Sequence, residues 1–307
     1  MEQTYEVEAA STGERLDRWL AQNVEGVGRR GATELCAARR VLVNGRAAAK
    51  AQRLAAGDVV SLLEDPSAGI AGDDEAPLDV RLERAELVVV NKPAGQATAP
   101  LDASERGTLA GALLARYPEM RGIGHRAREP GLLHRLDTQT SGLVLAARSA
   151  EAFVALSQAL EAEQLEKRYL AIVEDRSLPA RGTIELALTV EPRGSGRVVA
   201  LEEPRQGARL RRSLFQTLER RGGLALVQVS VERAFRHQVR VHLAHSGWPI
   251  AGDRMYGGRM APALGERHAL HACYVAWAGD GRVAAFTVES ALPDDLAAFF
   301  RSFGAGS

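Results

Sequence analysis

Apolar residues change their spacing several times along this chain, and each change marks an element. Tyr5 to Glu8 alternates apolar and acidic side chains, the pattern of a short strand. From Glu14 to Ala21, Leu16, Trp19 and Leu20 recur at helical spacing. Gly28 interrupts, and a second helix is predicted over 31–38. Val41-Leu42-Val43 is a β-branched run leading into Asn44-Gly45, a dipeptide suited to a hairpin turn. Gly57-Asp58 marks another turn before the strand-like Val59-Val60-Ser61-Leu62. The first part of the chain therefore reads as two helices and a small sheet.

Residues 64–77 are acidic and rich in Gly and Pro, the composition of a linker. After them Leu87-Val88-Val89-Val90 reads as a buried strand that delivers the loop Asn91-Lys92-Pro93. A helix is predicted from Thr108 to Tyr117. Leu132-Leu133 and Leu143 to Ala147 bracket a polar loop at 134–142 as two strands. Ser149 is placed to cap a helix carrying Phe153, Leu156 and Leu160 on one face. Tyr169 to Val173 and Leu224 to Glu232 read as strands. His237 to His245 reads as a helix closed by Gly247. A strand over Val283–Val288 and a helix over Leu296–Phe303 end the pattern.

Charge changes this picture in one place. The 307 residues carry 39 basic and 39 acidic side chains, a formal net charge of zero. Over 13–62, nine basic residues (among them Arg18, Arg29, Arg30, Arg39 and Arg40) meet five acidic ones. This segment is +4 and the rest of the chain is −4, so a partner attracted by positive charge would meet the N-terminal part. The two cysteines, Cys36 and Cys273, form no C-x-x-C pair, which argues against a disulfide framework or a cysteine-based zinc site. The acidic N-terminus lacks an apolar signal core and no run approaches a membrane span, so a cytoplasmic protein without membrane association is expected.

The polar loop is the candidate for chemistry. His134-Arg135-Leu136-Asp137-Thr138-Gln139-Thr140-Ser141-Gly142 gathers a carboxylate, a guanidinium, an imidazole and several hydroxyls between apolar strands. A nearby arginine keeps a partly buried aspartate ionised. Such a carboxylate can act as nucleophile or base at a sugar carbon. The same residue types also make an ordinary strand connection in which Asp137 and Thr140 satisfy backbone donors. Residue types alone leave both readings open.

The longer string Gly131 to Leu143 closely resembles the signature of the RluA-type pseudouridine synthases. Further blocks agree in order. Val90-Asn91-Lys92-Pro93-Ala94-Gly95 is similar to the family's opening loop, and Lys167-Arg168-Tyr169 to its Lys-x-Tyr strand. His237-Gln238-Val239-Arg240-Val241-His242-Leu243 through Pro249 to Gly257 is similar to its third motif, and Leu270-His271-Ala272 to its late block. Over 15–58, Arg15 to Leu20, Val41 to Gly45 and Gly57-Asp58 resemble the alpha-L RNA-binding motif. The resemblance implies an α+β protein. A small N-terminal α/β RNA-binding domain (1–63) and a linker (64–77) would precede a catalytic domain (78–307) whose central sheet is mixed, mostly antiparallel and flanked by helices.

The resemblance also implies the reaction: uridine in RNA becomes pseudouridine, with no cofactor and no metal. Asp137 matches the family's catalytic aspartate. The uridine must leave its stack to reach it, and Arg135 matches the position that fills the gap. Tyr169 matches the tyrosine that packs on the flipped uracil, and Arg240 the arginine that pairs with the aspartate. His134 is expected to orient the loop beside the substrate, with Thr140 among its substrate-side groups. Lys92 and Lys167 are expected to contact the RNA backbone, and Arg18, Arg29, Arg30, Arg39 and Arg40 to bind RNA from the N-terminal segment. Large-subunit ribosomal RNA is the expected partner of a monomeric enzyme, and transfer RNA the second choice.

One segment departs from the family pattern. Arg233-Ala234-Phe235-Arg236 stands where Thr-Gly-Arg-Thr is usual, and Ala99-Pro100 lacks a usual histidine. Neither change touches Asp137, Tyr169 or Arg240, so activity is expected. The departure raises the alternative of a non-catalytic RNA-binding or ribosome-assembly protein on the same scaffold. His237, His242 and His245 raise a metal-dependent hydrolase, although no H-E-x-x-H arrangement accompanies them.

Overall fold

The computed structural model describes residues 3–24, 27–37, 39–63, 69–191, 196–201, 207–232 and 234–304, without the side chains of Arg29, Arg30 and Glu34. The chain divides into two units: 1–71 with 102–104 and 125–129, and the remainder.

The first unit contains β1 (Gln3–Glu6), α1 (Leu16–Asn23), α2 (Arg29–Ala37), β2 (Val41–Val43), β3 (Arg46–Ala47) and β4 (Val59–Leu62). Its four strands lie in the order β1-β4-β2-β3, all antiparallel. Leu16 and Leu20 of α1 pack with Val41, Val60 and Leu62 of the sheet in one apolar cluster, so the helical and alternating patterns converge on one core. Asn44 and Gly45 both adopt positive φ (51° and 75°), the turn whose twist matches the flanking strands β2 and β3. The Asn44 side chain also donates to Asp58 Oδ1 at 2.8 Å and accepts from the Val59 N–H at 2.8 Å, joining the two turns.

The second unit contains β5 (Val80–Glu83), β6 (Leu87–Lys92), α3 (Leu109–Arg116), β7 (Ser141–Ala147), α4 (Ala150–Glu161), β8 (Glu166–Glu174), β9 (Arg181–Val190), β10 (Val198–Leu201), β11 (Arg209–Arg221), β12 (Leu224–Val231), α5 (Gln238–His245), β13 (Leu270–Trp277), β14 (Phe286–Glu289) and α6 (Asp294–Arg301). The strands form one ten-stranded sheet in the order β10-β9-β11-β12-β8-β13-β7-β6-β5, with β14 on β13. Among the described residues only β7 and β13 pair in parallel, so the sheet is mixed and mostly antiparallel, and the protein is α+β. All seven residues of β7 are buried, which explains its unbroken apolar run. Thr108 and Ser149 cap α3 and α4 by accepting from the Gly111 and Ala152 N–H groups.

Two sequence expectations differ from this. Leu132 forms only a single bridge to Ala146 and not a strand, so the polar loop is held on one side by isolated contacts. The strands β9, β10 and β11 were not anticipated. In β11 the exposed positions mix Leu210, Leu214 and Leu218 with arginines and a glutamate, which blurs the alternation.

Gly142 is the tightest point of the crossing. It has φ +120°, and a Cβ there would strike the backbone oxygen and nitrogen of Ala272. Gly142→Ala is therefore expected to force β7 and β13 apart and to lower stability by about 3 kcal/mol or more, read by urea unfolding. A loss under 1 kcal/mol would show that the crossing relaxes freely.

Candidate active site

Backbone bonds tie down the loop that carries Asp137 at several points. Thr98 Oγ1 donates to Leu136 O at 2.7 Å and accepts from the Leu136 N–H at 3.2 Å. The Gly95 N–H donates to Thr138 O at 2.8 Å, and the Thr140 N–H to Asp137 O at 3.0 Å. Lys92 donates to three carbonyl oxygens: Pro93 at 2.9 Å, Gln96 at 2.7 Å and Thr138 at 3.2 Å. The two loops are thus tied together by one ammonium group whose three donors are all used.

Within this frame Arg240 joins two carboxylates. Its Nη1 donates to Asp137 Oδ2 at 2.7 Å. Its Nε and Nη2 donate to Asp253 Oδ2 and Oδ1 at 2.7 and 2.8 Å, a two-point clamp. Arg240 lies near the start of α5, and Asp253 caps the short turn 254–256 by accepting from the Tyr256 N–H. The guanidinium also stands 5.0 Å from the Tyr256 ring centre. Arg240 and Asp253 are buried, whereas the Asp137 side chain remains 24% accessible. That carboxylate is held and still reachable.

His237 stands on the other side of the carboxylate. Its Nε2 is 3.5 Å from Asp137 Oδ1, and Nδ1 is 2.8 Å from the Tyr256 hydroxyl. The hydroxyl donates to Val198 O at 3.1 Å and accepts from the Val198 N–H at 3.0 Å. With its only proton so used, it accepts from His237 Nδ1–H. His237 Nε2 then accepts from Arg236 Nε, 3.3 Å away. His237 adopts φ 56° as the residue preceding α5, a left-handed conformation uncommon for a residue other than glycine.

Burial acts to raise the Asp137 carboxyl pKa, but His237, Arg240 and His268 outweigh it and hold the group below its ordinary range. Tyr169, in β8, shows the reverse. Burial, then the charge of Asp137, pushes its phenol up, so it stays protonated at neutral pH. Together these supply an anion, a neutral hydrogen-bond donor and a flat ring in one place. That set suits work on a planar base and its sugar.

The other sequence-predicted residues separate into two groups. Arg135, Arg18 and Arg39 are exposed, and Arg40 is partly exposed. Arg18 pairs with Glu14 at 3.3 Å and Arg40 with Asp102 at 3.7 Å. The side chains of Arg29 and Arg30 lie outside the described residues. Four residues are tied into the interior. His134 accepts from the Leu145 N–H at 3.1 Å through Nε2, fixing the loop to β7. Thr140 is bonded to His268 Nε2 at 2.7 Å. Lys92 is fully buried, and Lys167 is only 5% exposed. Each lysine extends from an inward position of a strand. Sequence reasoning gave no role to Asp253, Tyr256 or His268, and His237 entered only as a metal candidate. Asp253 and Tyr256 lay inside the matched block 249–257, which was the available signal.

Phe235, in the departing segment, packs beside Leu188, Val198 and Val241. Gln238 spans the turn, accepting from the Phe235 N–H and donating to Arg212 O and Ser213 Oγ. Phe235 thus props α5 through Val241. Arg233 lies outside the described residues. Among the described residues no three His, Cys, Asp or Glu side chains are grouped to hold a metal ion, and no helix is long and apolar enough to cross a membrane.

Residues 86–245 match the family model described as RNA pseudouridylate synthase. An uncharacterized RNA pseudouridine synthase of Chloroflexus aurantiacus is 36% identical over 94% of this chain and 90% of its own length. A ribosomal large subunit pseudouridine synthase D of Xylella fastidiosa is 30% identical over 93% of this chain and 88% of its own. The fold is shared with a solved structure of human RNA pseudouridylate synthase domain containing 4, with TM-score 0.57 and 20% identity over 73% of this chain and 93% of the other. Fold and sequence together define an isomerase that acts on RNA. The chain belongs to the RNA pseudouridine synthases of the RluA type.

Burial also depresses five of the seven histidines: His134 to about 3, and His237, His242, His268 and His271 to about 4. Each folded value lies below the unfolded one. Between about pH 6.5 and 4 the unfolded chain therefore binds more protons, and stability falls as pH falls. Urea midpoints measured from pH 7 to 4 should drop with a slope of several protons, each adding at most about 1.4 kcal/mol per pH unit. A slope of one proton or fewer would contradict the burial of these rings.

Proposed function

We propose that this enzyme converts a uridine of large-subunit ribosomal RNA to pseudouridine, with Asp137 as the catalytic carboxylate. The observation that carries the role of Asp137 is its clamp. Arg240, itself fixed by Asp253, keeps the carboxylate ionised while leaving it accessible. In the isomerisation the C1′–N1 bond breaks, the base turns and C5 joins C1′. An ionised, oriented carboxylate is suited to react at the ribose of a flipped nucleotide. Tyr169 provides the ring against which that base packs, and Arg135 fills the space it leaves. Cations of the first unit, Arg18, Arg29, Arg30, Arg39 and Arg40, hold the RNA backbone without reading its sequence.

The ribosomal substrate is favoured by the names of several relatives, which are ribosomal large subunit pseudouridine synthase D enzymes. Transfer RNA is the second reading. Carbodiimide primer-extension mapping of total RNA from a deletion strain tests both. Loss of a pseudouridine in large-subunit RNA, restored by the purified enzyme, is the expected result. A missing site confined to transfer RNA would move the substrate, and an unchanged map would sink the assignment.

A further inference from the structure

Four cationic side chains are buried among the described residues: Lys92, Lys167, Arg240 and Arg267. Three have partners that explain them. Lys92 has its three carbonyls, Arg240 its two carboxylates, and Arg267 has Asp295 at 2.6 Å and Ser141 Oγ at 2.8 Å. Among the described residues nothing ion-pairs with Lys167. Its cross-strand partners are Val231 on β12 and Val275 on β13, both apolar and buried. Burial alone drives its ammonium down, to about 8. An uncompensated buried cation is costly, and a fold under no other demand replaces it with an apolar side chain.

Position supplies the demand. Residues i and i+2 of a strand share a face, so Lys167 projects from β8 on the side that carries Tyr169. Its charge reaches the His134 ring, at the start of the loop that holds Asp137. The unmatched cation thus lies along the same inner face as the ring against which the base packs.

We propose that Lys167 is a catalytic residue that donates to a carbonyl oxygen of the flipped uracil and stabilises the negative charge that develops there. This rests on the functional reading above. When the C1′–N1 bond breaks, its electron pair passes to the ring, giving a uracil anion with charge spread over N1 and the two carbonyl oxygens. The ring turns, C5 forms the new bond to C1′, the proton on C5 is lost and a proton is added at N1. Atoms and electrons balance without a co-reactant. In a site sheltered from water, a fixed ammonium beside those oxygens acts most strongly on the charged state, and less on the neutral base that precedes it.

The test is Lys167→Met, which keeps an unbranched apolar stem one atom shorter and removes the charge. Single-turnover pseudouridine formation should fall about 100-fold or more. RNA affinity should change less than about threefold, and Tm should stay the same or rise, because an unpaired buried charge has gone. Lys167→Arg, which keeps the charge, should recover part of the rate. Turnover in Lys167→Met within about threefold of the wild-type value overturns the inference. A lower Tm with activity lost only in proportion to the unfolded fraction makes Lys167 structural and also overturns it. So does weakened RNA binding with the salt slope reduced by about one, the signature of a phosphate contact. Wild-type enzyme is assayed alongside. If it forms no pseudouridine, the functional reading fails and takes this inference with it; an active wild type with an active Lys167→Met sinks this inference alone.

Discussion

Asp137→Asn is expected to abolish pseudouridine formation, lowering the single-turnover rate by at least about 10⁴-fold, while RNA binds within about threefold of its wild-type affinity. The asparagine keeps the shape of the side chain and an oxygen that still accepts from Arg240 Nη1, so the loop should hold its place. Thr98, Gly95 and Lys92 bind the loop through backbone atoms and do not depend on the carboxylate. Arg240 keeps its two bonds to Asp253, so no buried cation is abandoned. What disappears is the charge, and with it the group able to react at the ribose. The measurement is tritium release or carbodiimide mapping on a defined RNA, with binding followed separately. Turnover above about 1% of wild type would remove Asp137 from the chemistry and make the clamp a structural ion pair.

The outer frame of this site was legible in the chain and its inner wiring was not. Asn44-Gly45 announced its turn because few residues tolerate positive φ, and that preference is local. Ser149 announced the start of α4 for the same reason, since a cap is satisfied within three residues. The Asp137–Arg240 contact joins residues 103 positions apart, and only the family resemblance suggested it. Asp253 and Tyr256 act through Arg240 and His237, and their roles follow from the path of the chain around α5. Nothing in the spacing of residues 249–257 states that Asp253 faces a guanidinium. The burial of the two lysines was hidden as well. Lys92 and Lys167 stand in polar motifs, yet both lie on inward positions of strands. The short motifs around them hide the alternation that would reveal which face each lysine takes.

Removing the centre of the clamp should have the largest combined effect. Arg240→Met takes the partner from Asp253, a carboxylate only 1% exposed, and from Asp137 at the same time. Breaking a buried pair from one side typically costs about 3–5 kcal/mol, because the remaining charge has neither water nor a counter-ion. Pseudouridine formation should fall about 10³-fold or more even in the folded fraction, since Asp137 loses both its orientation and its shield against protonation. Lysine is no substitute: its point charge cannot reproduce the two-point bond to Asp253 and the further bond to Asp137 together. The pH dependence identifies the cause. In the wild type the Asp137 carboxyl lies below its unfolded value, so it contributes stability at neutral pH that is lost on acidification through its folded value. Without Arg240 much of what holds the carboxyl below its unfolded value is gone and burial acts against less opposition, so less stability is lost on acidification. The gap in unfolding free energy between wild type and Arg240→Met should therefore narrow from pH 7 to 5, although the buried histidines weaken both proteins over the lower part of that range. Urea titrations of the two proteins in parallel read this difference directly, and a gap that stays constant or widens on acidification would show that Arg240 acts by packing alone and not by charge.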